Sequence, residues 1–272
     1  MTSTDLNTYL TFGYLACGVF ALISYLSSPA ESRARKAVLA LVILLWVVHT
    51  GAIGLRWVES YQQGIGHAPL SNLYESMIFF GWATALALIV TRLKFKADLV
   101  VLLGLPAVFL MMASTFLMDH EIKPLIPALQ SNWLVAHVVT CFLGYAGFAV
   151  SFLAALILLA LRSTDSTENQ RRHLDLVDQV VYRAILVGFP LLTIGIVTGA
   201  AWADYAWGAY WSWDPKETWS LITWFVYAAF LHARLTREWS GRRTALLSLL
   251  GFAAVLFTYF GVNYLPGLHS YF

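Results

Sequence analysis

Eight runs of about 20 predominantly apolar residues fill most of this 272-residue chain. A helix of about 20 residues spans the roughly 30 Å hydrocarbon core of a bilayer, and only helices or closed barrels satisfy the backbone hydrogen bonds there. The apolar and polar residues do not alternate as they would in barrel strands. We therefore predict an all-α, polytopic membrane helix bundle with spans at 8–27, 37–58, 73–91, 98–117, 133–161, 183–203, 217–235 and 244–264.

The composition excludes several classes of protein. Hydrophobic residues make up 59% of the chain and charged residues 12%, which leaves too little polar surface for a soluble globule of this length. Because no linker or low-complexity tract interrupts it, we predict a single domain over residues 1–272. The chain has a net charge of +2 and no basic face, so nucleic acid is not an expected partner. Its apolar composition makes membrane lipid an expected partner.

The basic residues predict the orientation of the helices. If every span crosses once, 14 of the 17 lysines and arginines fall in loops on the same side. The positive-inside rule makes that side cytoplasmic. Both termini and the loop between spans 6 and 7 are then external.

That external loop, at about 202–219, is rich in tryptophan and contains the stretch "WGAYWSWDPKETW". An aromatic belt would spread its tryptophans over all helix ends, whereas six of the eleven here lie between residues 202 and 224. We interpret Trp207, Trp211 and Trp213 as a stacking wall for a large flat ligand, which Gly208 allows to approach closely. Asp214, Pro215 and Glu217 fit the N-cap, first and third positions of the next helix.

Three histidines are candidate metal ligands. His137 near the external end of span 5 and His269 after span 8 come to the same side as the tryptophans, and two neutral imidazoles could ligate a metal macrocycle. Taken alone, either could instead be an interfacial histidine with an ordinary hydrogen bond. His232 lies some 24 Å along span 7, in the cytoplasmic half of the membrane, where an ionisable group is a functional candidate. The roles of His49 and His67 stay open.

The chain resembles the CcsA or ResC family of System II c-type cytochrome biogenesis, a group of heme-handling proteins with a tryptophan-rich WWD signature. The resemblance covers nearly the whole chain and is carried by its WWD loop together with "GHAPLSNLYES", "NWLVAH", "FLHAR" and "GVNYLPGLHSYF". It implies that His137 and His269 ligate heme at the external face. It also implies that His232 supplies one ligand of a second heme site in the membrane, whose other ligand belongs to a CcsB-type partner.

The resemblance further implies a function. Heme b would cross the membrane and be presented at the WWD loop for thioether attachment to an apocytochrome c bearing CxxCH, within a holocytochrome c synthase complex. The expected location is the plasma (inner) membrane with the active face external or periplasmic, or the thylakoid membrane in a plastid. Asp214 is expected to shape the loop by capping rather than to contact heme.

Some assignments and alternatives remain open at this stage. Arg56 is our first choice as a partner for the heme propionates, because few cations lie on the external side, although it could equally be an interfacial anchor. Two other functions are a membrane b-type cytochrome that transfers electrons and a cofactor-free transporter. Electron carriers of that type pair their histidines within the bilayer, whereas His137 and His269 are expected at its outer rim.

Overall fold

A computed structural model of the chain describes residues 1–29, 32–161 and 168–268. Over these residues the protein is helical and forms two compact units, Met1–Gln130 and Ser131–Phe272. The prediction of a single domain over residues 1–272 stays a prediction. Each unit is a bundle of four long helices.

In unit 1, α1 (Ser3–Ser27), α2 (Arg33–Gln62), α3 (Leu73–Phe95) and α4 (Asp98–Ser114) follow the predicted spans. Each helix packs against two of the other three, in the order α1, α2, α3, α4 and back to α1. At one end of the bundle, Asp98 forms ion pairs with Arg35 at 3.0 Å and with Arg92. These charges come from three helices, so the pairs join α2, α3 and α4.

In unit 2, α5 (Asn132–Ala160) packs most extensively against α6 (Glu168–Trp207), and α7 (Pro215–Thr236) packs against α8 (Arg242–Tyr259). The α5 and α6 backbones approach closely where Gly144 faces Gly188. Small residues allow such close contact between membrane helices. A short 3-10 helix, Gly261–Tyr264, follows α8 and contacts α7.

Six of the helices are long and apolar enough to cross a membrane, namely α1 to α6. α7 carries Lys216, Glu217 and Arg234, and α8 has 18 residues and begins with two arginines. The fold is therefore that of a polytopic helical membrane protein. The prediction that all eight helices cross the membrane stays a prediction.

The longest helix departs from its predicted span at both ends. α6 has 40 residues, about 60 Å at 1.5 Å per residue, whereas the apolar run covers only 183–203. Its polar first turns begin at Glu168, and its last turn reaches Trp207. Trp202 and Trp207 therefore lie on a helix, and the irregular connection to α7 is only Gly208–Asp214.

Candidate functional site

His137 lies near the start of α5 and faces the last turns of α6. Its Nδ1 is 2.7 Å from the carbonyl oxygen of Gly195. A carbonyl oxygen can only accept, so Nδ1 must carry the proton. In the neutral ring this leaves Nε2 with a free lone pair, the form in which histidine binds metals.

Two further contacts fix the position of this imidazole. The ring is nearly parallel to the indole of Trp202, with 6.2 Å between ring centroids and an interplanar angle of 17°. On α6, a Cβ added to Gly199 would lie 2.6 Å from Nδ1 of His137, so a larger residue does not fit without movement. Gly195 thus provides the hydrogen-bond acceptor for His137, and Gly199 provides the space for its ring.

Sequence reasoning did not select Gly195 or Gly199. Their spacing, "GIVTG" at 195–199, is a small-xxx-small pattern that predicts close helix packing in membranes. That pattern could have identified the helix face that meets α5. It could not have shown that a backbone carbonyl on this face accepts a hydrogen bond from His137.

The predicted aromatic wall is at the same end of unit 2. Trp202 is buried and packs edge-on against Trp207, with 4.9 Å between centroids. Trp211 and Trp213 meet at 90° with 5.7 Å between centroids. The structure therefore brings His137, Trp202 and Trp207 into one chain of ring contacts and pairs Trp211 with Trp213.

The backbone of the connection is tightly turned. Gly208 has a φ of +75° and its N–H donates to the carbonyl of Asp204, which ends α6. Trp213 has a φ of 59° and is 69% exposed. A positive φ is rare for a residue as bulky as tryptophan, so the loop holds this indole outward at a conformational cost.

Asp214 is the N-cap of α7, as predicted. Its side chain accepts from the N–H of Lys216, and the Glu217 carboxylate accepts from the N–H of Asp214 as part of a capping box. Pro215 occupies the first helical position. The second carboxylate oxygen of Asp214 accepts from the N–H of Leu268 at 2.6 Å, a contact that the sequence did not predict.

The remaining predicted ligands lie elsewhere or outside the described residues. His269 lies outside the described part of the chain and directly follows Leu268 in the sequence. His232 lies near the far end of α7 and is exposed, 17 residues after Pro215, which corresponds to about 25 Å along the helix.

Arg56 belongs to unit 1 and is 3% exposed. Its Nε is 2.8 Å from the Glu75 carboxylate, and its guanidinium also donates to the carbonyl of His120 and lies over the Tyr74 ring. Asn72 caps α3 by accepting from the N–H of Glu75. The role of Arg56 toward propionates stays a prediction, and Glu75 would compete for its guanidinium.

The two open histidines also lie in unit 1. His49 is fully buried, and its Nδ1 is 3.3 Å from the hydroxyl of Tyr14. Both ring nitrogens of His67 contact carbonyl oxygens, at 2.9 Å for Ala68 and 3.1 Å for Lys123. In this geometry His67 contacts two loops of unit 1, and a neutral ring can donate to only one of the two carbonyl oxygens.

Comparison with known proteins shows the family of the chain. A family model described as "Cytochrome C assembly protein" matches residues 70–269, which include the whole of unit 2 up to His269. The chain belongs to this cytochrome c assembly family. The match extends from the start of α3 through the tryptophan-rich loop, so it covers the elements that form the candidate site.

Several relatives of this assembly protein are named cytochrome c biogenesis protein CcsA. The protein from Guillardia theta is 42% identical over 257 residues, covering 84% of this chain and 83% of the relative. The protein from Chlamydomonas reinhardtii is 40% identical over 264 residues, covering 93% of this chain and 72% of the relative. One from Prochlorococcus marinus (strain MIT 9313) is 40% identical and covers 100% of this chain and 97% of the relative.

A solved structure shares the fold. The cytochrome c heme lyase CcmF superposes with a TM-score of 0.71 at 23% sequence identity and covers 96% of this chain. This chain spans 47% of the CcmF chain. At this identity the likeness shows a common helical fold.

Proposed function

We propose that this protein carries heme to the tryptophan-rich end of unit 2 and presents it there for covalent attachment to an apocytochrome c. Membership of a cytochrome c assembly family supports a role in cytochrome c maturation. The observation that carries the finer proposal is the bond from Nδ1 of His137 to the carbonyl of Gly195. This bond prepares Nε2 to bind heme iron, beside aromatic side chains that can cover the macrocycle.

His137 supplies one axial ligand of the outer site. Ligating histidines usually donate their second ring N–H to a carbonyl or carboxylate, which fixes the ring and raises its basicity. Gly195 provides that carbonyl, and the ring contact with Trp202 restricts rotation of the imidazole.

His269 supplies the opposite ligand. Support comes from the preceding residue, since Leu268 is hydrogen-bonded to Asp214 at the start of α7. The histidine therefore follows directly after a point where the C-terminal segment is attached to the tryptophan-rich loop.

Trp207, Trp211 and Trp213 form the wall against which the heme stacks. The exposed indole of Trp213 and its positive φ support this role, because strained backbone tends to persist where function requires it. Gly208 leaves open space beside the wall, since a Cβ there would have no neighbour within 4 Å.

The chemistry at the site is the addition of a thiol to a vinyl group. Each cysteine of the CxxCH motif adds its S–H across one heme vinyl C=C bond, forming a C–S and a C–H bond with no net oxidation or reduction. The histidine of the motif then replaces one axial ligand. The protein orients the heme, excludes water and leaves bond formation to the reacting groups.

His232 belongs to a second, inner heme site. Its imidazole is exposed on α7, so a ligand from another chain can reach it. The residue lies about 25 Å along the helix from Pro215. A CcsB-type membrane partner supplies the opposite ligand, and heme b passes from this site to the outer one. The active face is external or periplasmic in an inner membrane, or lumenal in a thylakoid.

The propionates require cations on the outer side. Arg56 is proposed as one partner, which it can become only if it exchanges its bond to Glu75. Such an exchange keeps the Arg56 guanidinium paired with a carboxylate but takes the cation away from the buried Glu75 carboxylate, which costs free energy. The N–H and hydroxyl of Ser71 continue to donate to Glu75.

The test is an absorption spectrum of the purified chain together with its partner, followed by incubation with an apocytochrome containing CxxCH. A Soret band and covalent heme on the apocytochrome are expected. Absence of a Soret band would favour a cofactor-free transporter. Heme that cycles rapidly with quinone and never becomes covalently attached would favour an electron-transfer subunit.

A further inference from the structure

The carboxylate of Asp214 accepts hydrogen bonds from two segments that are far apart in the sequence, the first turn of α7 and the C-terminal segment. Oδ1 accepts from the N–H of Lys216 at 2.9 Å and caps α7. Oδ2 accepts from the N–H of Leu268 at 2.6 Å, 54 residues later. The side chain is buried, with the residue 6% exposed. Capping of α7 requires one of these oxygens, so it does not account for the second bond.

The C-terminal segment is also fitted to the start of α7 by shape. A Cβ added to Gly267 would lie 2.5 Å from Oδ2 of Asp214 and 3.0 Å from Cδ of Pro215. A residue with a side chain would therefore force the segment away from the loop. Glycine allows the backbone of residues 267 and 268 to lie directly on the Asp-Pro corner.

We propose that Asp214 is the positioning residue for His269, by attaching the segment that carries this ligand to the tryptophan-rich loop. The proposal rests on the outer heme site described above and assigns the aspartate of the WWD signature a specific partner, the N–H of Leu268. A charged acceptor makes a stronger bond than a neutral one. Asp214 thereby joins the start of α7 to the residue immediately before the histidine.

This attachment couples the two components of the site. Trp213 immediately precedes Asp214, Trp211 lies two residues before Trp213, and His269 immediately follows Leu268. A displacement of the loop therefore moves the stacking wall and the ligand-bearing segment together. Heme stacking and axial ligation by His269 are then expected to be gained and lost as one event.

The test breaks the bond from each end in the full chain with its partner. Asp214→Ser keeps an N-cap acceptor, but the shorter side chain cannot also reach Leu268. Leu268→Pro removes the donor and leaves the cap intact. Both variants should lose six-coordinate low-spin heme, lower the cytochrome yield about 10- to 100-fold, as for loss of the partner of a metal ligand, and recover in part with added imidazole.

Glu217→Gln is the matched control. It removes the charge of the other member of the capping box but keeps an acceptor oxygen for the N–H groups of Ser212 and Asp214, and it keeps both partners of the Asp214 to Leu268 bond. This variant should keep the six-coordinate spectrum. The double variant Asp214→Ser with Leu268→Pro should have the same cytochrome yield as the more severe single variant, because both substitutions remove the same hydrogen bond.

The outcomes separate this inference from the proposed function. If His269→Ala loses the six-coordinate spectrum while Asp214→Ser and Leu268→Pro keep it, the positioning role is wrong and the outer site stands. If His269→Ala itself keeps the spectrum, the outer site is wrong. If Asp214→Ser fails to accumulate, Leu268→Pro decides, since it leaves the helix cap untouched.

Discussion

Gly199 of α6 lies directly against His137 of α5, so closely that a Cβ on the glycine would be 2.6 Å from Nδ1 of the imidazole. The same ring nitrogen donates to Gly195, one helical turn earlier. One face of α6 therefore provides both the space and the acceptor for His137. The orientation of the ring depends on residues that have no side chain.

Gly199→Ala should displace His137 and weaken iron ligation although no ligand is removed. We expect a loss of six-coordinate heme and about a 10- to 100-fold lower cytochrome yield, as for a change next to a metal ligand. Gly54→Ala is the control, because a Cβ there meets nothing within 4 Å. Gly54→Ala should leave the heme spectrum and the cytochrome yield unchanged. A wild-type heme spectrum in Gly199→Ala would show that α6 does not restrict the position of the His137 ring.

Trp213→Gly should separate stability from function. A left-handed backbone costs residues other than glycine about 1–2 kcal/mol, and glycine at this position removes that cost. The greater flexibility of glycine in the unfolded chain offsets about 0.5–1 kcal/mol of the gain. Thermal melting should therefore show a free energy of unfolding that is unchanged or raised by up to about 1.5 kcal/mol, while heme retention falls. Tyr210→Gly, which removes another exposed aromatic of the same loop, should retain heme. Full retention in Trp213→Gly would remove this indole from the wall.

His232→Ala should deplete heme in the complex without altering the outer site. The side chain is exposed near the end of α7, so its loss leaves no cavity in unit 2. We expect less heme per complex and a lower cytochrome yield, with unchanged thermal stability. Leu235→Ala, a nearby exposed change on α7, is the control. Wild-type heme content in His232→Ala would exclude it from the pathway.

Arg56 can be tested through its ion pair with Glu75. Both side chains are buried, and removing one partner of such a pair costs about 3–5 kcal/mol because the other charge stays buried. Arg56→Met should therefore destabilise the protein, and Arg56→Met with Glu75→Gln should recover part of that loss. If Arg56 binds a propionate, heme retention stays low in the double variant. If the double variant recovers heme retention together with stability, Arg56 has a purely structural role.

Much of this organisation could be predicted from local sequence patterns. Apolar runs identify the helices, because burial in lipid demands about 20 such residues in succession. The cap at Asp214 follows from the order Asp-Pro-x-Glu, since each residue type suits one position of a helix start. The polar first turns of α6 were missed because hydropathy detects only the part of a helix that suits the membrane.

Other features depend on pairs of residues that no local pattern connects. The bond from Asp214 to Leu268 joins positions 54 residues apart, and the bond from His137 to Gly195 uses a backbone carbonyl, which every residue possesses. The division after Gln130 arises from which helices pack together. Such relationships become visible only once the helices are placed beside one another.

The central claim is that His137 and His269 are axial ligands of one heme, and rescue by imidazole tests it most directly. His137→Ala and His269→Ala should each abolish cytochrome assembly, because the iron loses a ligand. Added imidazole should restore a six-coordinate spectrum and part of the yield, since it fits the space that the side chain vacates. If each histidine only formed a hydrogen bond, the loss would be about 1 kcal/mol of stability. Full activity in both variants, or no effect of imidazole on spectrum and yield, would contradict the claim.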